Sequence, residues 1–473
     1  MSGHKTMKAM DFLGLLRGLD NHAYGSYQCL QNTCIAFDGF DFCFRHIQGS
    51  PGAMPASVCE INLPASNFPI PIWARSNDAR SMAAADFVLR SFTRGVKAVA
   101  HQNRGVDGSG SYQCSRMPQQ ILERNAVIFS AAETSILFRV SLPGSRSKQV
   151  LAGEAEAMFF RELVDIVQRV KDDVGDCQRL RSQCELVEDM LHVQDQLEEH
   201  GLVAFIADGS NLPRASGVSD KPARRGVVPF RTPEEASVVL DFPNAGKVSG
   251  LGIHKGVTVV IGGGFHGKST LLNALGRGIY PHVAGDGRER VVSSKRAMMV
   301  CAEDGRSIKG LDISSFIGTL PEKADPRRFF TKNASGSTSQ AAAIVESMLA
   351  GADLLLIDED SSATNFLMRD RHMRKLIPED PITPLLDRVR QLYEDHRVST
   401  LIIAGGSSDC LGVADHVIAM RDYLPVDMTA EARDLDLPRT HPPAGPLTLS
   451  DRRQMLPGNF DPCYINARMN KQV

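Results

Sequence analysis

The stretch GGGFHGKST sets glycines at 262, 263, 264 and 267, a lysine at 268 and hydroxyls at 269 and 270. Gly262, Gly267, Lys268 and Ser269 fill the fixed positions of G-x-x-x-x-G-K-[ST]; Gly263, Gly264, Phe265 and His266 fill the variable ones, and Thr270 follows. Glycines let main-chain N–H groups turn inward around phosphate oxygens, and a helix that starts there adds partial positive charge. Lys268 is placed to reach the β- and γ-phosphates and Ser269 to ligate Mg2+. A second stretch, LLLIDED, ends an aliphatic run in three carboxylates. Asp358 is the natural metal partner through water, and Glu359 can polarise an attacking water. A third, NASGSTSQ, puts Ser335, Gly336, Ser337 and Thr338 ahead of a helix. Small residues there let another molecule come close, although a Ser at that point also serves as an ordinary helix cap. The chemistry these residues fit is phosphoryl transfer from ATP, leaving ADP. That reaction needs positioning and electrostatics more than covalent groups.

The elements that must position them follow from periodicity. The phosphate loop comes after an apolar strand, VTVVI, and opens a helix, STLLNALG, which is the confirming context for such a motif. Aliphatic strands alternate with helices from about residue 237 to 425. That alternation predicts an α/β fold with a mostly parallel sheet covered on both faces. Residues 1 to about 150 read as mixed α/β, and 151 to 200 as helical up to a stop at Gly201. LVAFIADG reads as a strand, followed by a polar, basic loop. The expected boundaries are 1–235, 236–425 and 426–473.

Composition narrows the class. The chain has 473 residues, 42% hydrophobic and 23% charged, with a formal net charge of −2, so any basic surface must be local. No apolar run is long enough to span a membrane, and no secretory leader pattern is present. Ten cysteines without CxxC spacing read as reduced thiols of an intracellular protein, not as a disulfide framework or a zinc site. The lone Trp73 reads as core.

The chain resembles one family, the predicted ATPases of the ABC class, a soluble group distinct from transporters. The likeness rests on long stretches that include HIQGSPGAMP, QQILERNAV, LVAFIADGSNLPRASG, GGGFHGKSTLLNAL, VAGDGRERVV, ASGSTSQAAAIVE and LLLIDEDSSATNFLMRD. It implies an ABC-type P-loop ATPase core with a mixed α/β N-terminal domain and a C-terminal extension. It also implies a homodimer, in which ATP lies between the phosphate loop of one copy and Ser335, Gly336 and Ser337, in the signature position, of the other. The trypanosomatid branch of the family implies more: a mitochondrial RNA-editing factor in a larger RNA-processing complex of the matrix; outside that branch, a cytoplasmic protein.

Some residues depart from the family pattern. The signature is ASGST where transporters have LSGGQ. Glu303-Asp304 stands where a glutamine is expected, which adds Glu303 to Ser269 and Asp358 as a metal residue. Gly406 or Ser407 stands at the place of the switch histidine, so hydrolysis is expected to be slow. Arg214, Lys221, Arg224, Arg225 and Arg231 form one basic group, and His101, Arg104, Arg116 and Arg124 another. A polyanion such as RNA would meet them through salt-sensitive phosphate contacts. The competing readings are a transporter's nucleotide-binding subunit and a P-loop kinase of a small molecule.

Overall fold

The structure is a computed structural model. It describes residues 5–101, 104–114, 116–318, 325–377, 379–435, 437, 447 and 449. Two compact units divide after Val187.

The first unit is built on one sheet. Its strands are β1 (Lys5–Lys8), β2 (Thr33–Phe37), β3 (Phe40–His46), β4 (Ser57–Pro64), β5 (Ser111–Gln113), β6 (Val127–Phe129) and β7 (Glu133–Ser141). The order is β1-β2-β3-β4-β7-β5, with β6 also on β7. β4 and β7 largely alternate buried and less buried positions, as a sheet with one covered face requires. The helices are α1 (Ala9–Gly18), α2 (Asp78–Val99), α3 (Ala152–Ala157) and α4 (Leu163–Gly175). Asn77 caps α2 by accepting the N–H of Arg80. Gly95 lets α2 approach α4 closely, since a Cβ there would lie 3.3 Å from Ile166. Phe12, Phe42, Phe44 and Phe159 pack edge to face and tilted at the centre of the unit.

Two expectations fail here. Cys34 and Cys43, read as free thiols, form a disulfide between directly opposed positions of β2 and β3. Strand pairing, not spacing, brings them together. Trp73 is only half-buried, with the Arg181 guanidinium 4.8 Å from its ring centre.

Helix α5 (Cys177–Gln196) runs across the division. The second unit contains β8 (Leu202–Ala207), β9 (Ser237–Phe242), β10 (Gly246–His254), β11 (Val257–Ile261), α6 (Lys268–Arg277), β12 (Val291–Ser293) and β13 (Ala297–Val300). It continues with β14 (Ile308–Leu311), β15 (Phe329–Thr331), α7 (Gly336–Leu349), β16 (Leu354–Asp358), α8 (Thr364–Leu367), α9 (Arg371–Leu376) and α10 (Leu385–His396). β17 (Ser399–Ile403), β18 (His416–Arg421), β19 (Leu424–Asp427) and α11 (Thr429–Arg433) follow. The central sheet has the order β13-β16-β17-β11-β18-β19, parallel except for β19. The core of β16 and all of β17 are buried, which is why both read as unbroken aliphatic runs. A four-stranded antiparallel sheet, β12-β8-β10-β9, and the β14–β15 pair complete the unit.

The first boundary therefore falls about fifty residues earlier than the expected 235. β8 pairs with β10 and β12, so the strand before the basic loop belongs to the sheet of the second unit. Most of the expected 426–473 extension lies outside the described residues. Of its described part, Met428 donates to Val417, α11 lies along β18, and Leu447 is buried with its carbonyl 2.8 Å from His396 Nε2.

Candidate active site

The phosphate loop leaves β11 at Gly262, whose φ of +145° and close approach to Met420 O (2.5 Å from a Cβ built there) admit only glycine. The loop closes on Gly267, φ +93°, which starts α6 with no side-chain cap, so the first N–H groups of the helix face the loop. Between them Phe265 takes φ +66° and stands 99% exposed. A bulky residue there costs about 1 kcal/mol or more. His266 Nδ1 accepts the N–H of Asp422, 2.8 Å away, which ties the loop to the β18–β19 turn. Lys268 Nζ donates to Gly262 O (2.5 Å) and Gly263 O (3.0 Å). Its charge is thus held over the loop by neutral main-chain carbonyls, weaker partners than an ionised oxygen. Ser269 and Thr270 open the helix, with the carbonyl of Ser269 accepting from Asn273 Nδ2.

β17 lies between β11 and β16, so the loop and the acidic strand end are one strand apart on the same edge. Asp358 pairs in register with Ile403 and caps the turn after it by accepting from Asp360 N. Glu359 Oε2 accepts the N–H groups of Gly405 (2.5 Å) and Gly406 (3.0 Å), just past the end of β17. Gly405 lies beside both groups. A Cβ built on it would lie 3.9 Å from both Glu359 Oε2 and Lys268 Nζ. The base candidate and the phosphate-binding cation therefore face one point. Sequence reasoning looked for a histidine after β17 and missed the two amides. The signal was the GG dipeptide itself.

The small-residue turn belongs to a second cluster. Ser335 is the N-cap of α7, accepting from Thr338 N with its hydroxyl 3.0 Å from that of Thr338. Ser337 is buried, and its hydroxyl donates to Asn365 Oδ1 at 2.8 Å. A Cβ on Gly336 would meet Asp304, Ala302 and Ala363 at 3.3 to 3.5 Å. Gln340 donates to Ser362 Oγ and accepts from Ala363 N, both at 2.9 Å. Ala302 N donates to Ser361 O, and Glu303 N to Ser339 Oγ. The turn, the segment after β13 and the loop after the acids are thereby bonded into one piece. The Glu303 side chain is mostly exposed and faces Arg306 at 3.9 Å. Among the described residues no three His, Cys, Asp or Glu side chains gather around a metal-sized point. Mg2+ that keeps its waters and a substrate's phosphates needs only one or two protein ligands, so Ser269 and Asp358 still fit it.

The first basic group divides. Arg214 is largely buried, paired with Asp286 at 2.6 Å and donating to the carbonyls of Asn211, Asp220 and Asp286. It closes its loop and has no phosphate contact to offer, contrary to expectation. Lys221, Arg224, Arg225 and Arg231 on the same loop are exposed. In the second group Arg104 is likewise spent, on Glu154 and Glu162. Around Asp286 burial dominates the electrostatics. It pushes His282 down to about 3 and Arg288 down to about 9, and it raises the Asp286 carboxyl.

Residues 176–444 match the P-loop domain of the ABC ATPases, and residues 10–172 match the N-terminal domain of ATPases of the ABC class. The chain belongs to the ABC-class ATPases. An uncharacterized protein of Methanocaldococcus jannaschii is 31% identical over 252 residues, covering 49% of this chain and 53% of that protein. An aliphatic sulfonates import ATP-binding protein of Frankia alni is 33% identical over 112 residues, 24% of this chain and 40% of its own. The chain thus spans about half or less of the length of these two curated relatives. A protein of the same description from Streptomyces avermitilis is 28% identical over 192 residues, 37% of this chain and 70% of its own. Among solved structures, an ATP-binding cassette of an ABC transporter in its ADP conformation aligns at 14% identity and TM-score 0.27, over 42% of this chain and 91% of its own. ATPase domains of the ABC class typically dimerise and bind nucleotide with Mg2+. No described helix of this member is long and apolar enough to cross a membrane.

Proposed function

We propose that this ABC-class ATPase binds ATP as a homodimer, hydrolyses it slowly, and uses the cycle to open and close a clamp on RNA. The observation that supports this best is the convergence of Lys268 and Glu359 on Gly405, with the carboxylate oriented by two amides. The residues present fit magnesium nucleotide: Gly262 to Thr270 and the α6 N-terminus would hold the phosphates, Ser269 and Asp358 the metal. Bound Mg2+ supplies charge neutralisation at the β- and γ-phosphates. Lys268 exchanges two carbonyls for phosphate oxygens, a stronger partner for an ammonium. Glu359 keeps one oxygen on the amides and turns the other to the proton of a water. Residues 404–408, at the end of β17, include no histidine, so the amide-held carboxylate works without that group, and turnover is slow.

Ser335 and the α7 N-terminus form an anion site at which, among the described residues, Ser335 Oγ meets only Thr338, which favours a trans role for the signature turn. A Ser335→Arg chain and a Lys268→Ala chain each lack one half of such a site. Each alone should be inactive, while a mixture after verified subunit exchange should regain about one competent site per heterodimer. No regained activity would sink the composite site. Exposed Lys221, Arg224 and Arg225, on a loop anchored by the Arg214–Asp286 pair, support RNA as the clamped partner. The mitochondrial setting and a larger RNA-processing complex rest on family resemblance and are part of the same proposal.

A further inference from the structure

Among the described large apolar side chains, Phe265 is the most exposed, at 99%. It also occupies a backbone conformation, φ +66°, that glycine or asparagine adopts without strain and a phenylalanine does not. Two costs therefore meet at one residue: an apolar ring in water and a strained main chain. Phosphate loops hold their ligand through main-chain N–H groups, so the ring adds nothing to that contact. The neighbouring turn repeats the pattern. Tyr423 has φ +71°, is 52% exposed, and lies 3.3 Å from where a Cβ on Gly267 would be. Strain of this kind persists where something else uses the residue.

What can arrive at a phosphate loop is limited to the nucleotide and, in the composite site proposed above, the signature turn of a second copy. The second copy offers the better surface. At its signature turn Ser335 is exposed and Gly336 partly so, small residues that admit a ring, and the strand leading into it carries Phe330, 59% exposed. We propose that Phe265 is a subunit contact, its ring buried against the signature side of a second copy of this chain when ATP closes the dimer. This rests on the ATP-sandwich reading and adds to it a residue that makes the closed state cohere.

The test uses the full chain carrying Glu359→Gln, with sedimentation velocity over a range of concentrations, with and without ATP. Phe265→Asn suits the backbone and removes the ring; Phe265→Leu keeps an apolar side chain. The Asn variant should weaken the ATP-dependent dimer about tenfold or more, and the Leu variant by no more than about threefold. Without nucleotide, the Asn variant should melt at or above the parent temperature, because strain is relieved. Three results overturn the inference: an Asn variant that dimerises like the parent; one that melts well below it, showing that the ring packs within its own chain; or one that loses ATP affinity in dilute, monomeric protein yet dimerises normally at saturation, showing that the ring serves the nucleotide. A Glu359→Gln parent that stays monomeric in ATP overturns the sandwich itself, and this contact with it.

Discussion

Lys268 is held only by the carbonyls of Gly262 and Gly263, so its removal leaves the fold intact and the phosphates without their cation. Lys268→Ala should weaken ATP binding by about one to two orders of magnitude, as expected for losing a charge-assisted hydrogen bond. Titration of a fluorescent ATP analogue reads this directly, and unchanged affinity would remove the loop from the site. Glu359→Gln keeps the shape and the amide partners but loses the charge that takes a proton from water. Turnover should fall by roughly two orders of magnitude or more while ATP binding persists. Phosphate release at the wild-type rate would show that another group positions the water. Both side chains were legible in the sequence, since each sits in a motif with a fixed offset from a strand end. Their partners were harder to read. Gly405 and Gly406 lie 46 and 47 residues from Glu359 and act through main-chain atoms, so the GG dipeptide marks the turn but not the carboxylate it serves. Arg214 was misread for the same reason, as its carboxylate partner is 72 residues away.

At the scale of elements, the loop between α6 and β12 carries a buried His282 beside Arg288, Arg214 and Arg277. Burial holds that histidine neutral in the folded state, with its value moved from 6.5 to about 3. A depressed histidine contributes stability that is complete above its unfolded value. That contribution is lost as pH falls below 6.5 toward 3, by up to about 1.4 kcal/mol per pH unit. Asp286, whose carboxyl is raised by burial, works in the opposite sense by protonating more readily when folded. The net loss between pH 7.5 and 5.5 should be about 1 kcal/mol. Urea unfolding at the two pH values measures it, and His282→Asn should remove most of the difference. An equal loss in the variant would assign the acid sensitivity elsewhere. Strands and helices of the central sheet followed from periodicity because their burial is local and regular. The placement of β8 did not, because a short apolar strand does not announce which sheet it joins. Only its pairing with β10 and β12 settles that.

At the scale of the molecule, a formal net charge of −2 confines the proposed RNA contact to local surface. Lys221, Arg224 and Arg225 remain for it after Arg214 is assigned to Asp286. Affinity for short single-stranded RNA should fall by roughly 0.7 log units per log unit of salt for each phosphate contact. Reversing Arg224 and Arg225 to Glu should weaken unrelated sequences about equally and flatten that slope. Fluorescence anisotropy at several salt concentrations checks this; no binding at low salt would discard the RNA partner. The order of the central sheet has another consequence, for synthesis. β11, which carries the phosphate loop, pairs on one side with Thr400 and its neighbours and on the other with His416 and its neighbours. A ribosome adds the intervening chain in roughly ten to thirty seconds. Throughout that time the nascent nucleotide site has neither flanking strand, and its apolar edge must be shielded from aggregation. A chain arrested before Ser399 should therefore fail to retain ATP although both the phosphate loop and Glu359 have already been made, and nucleotide should protect only chains released with β17 and β18 complete.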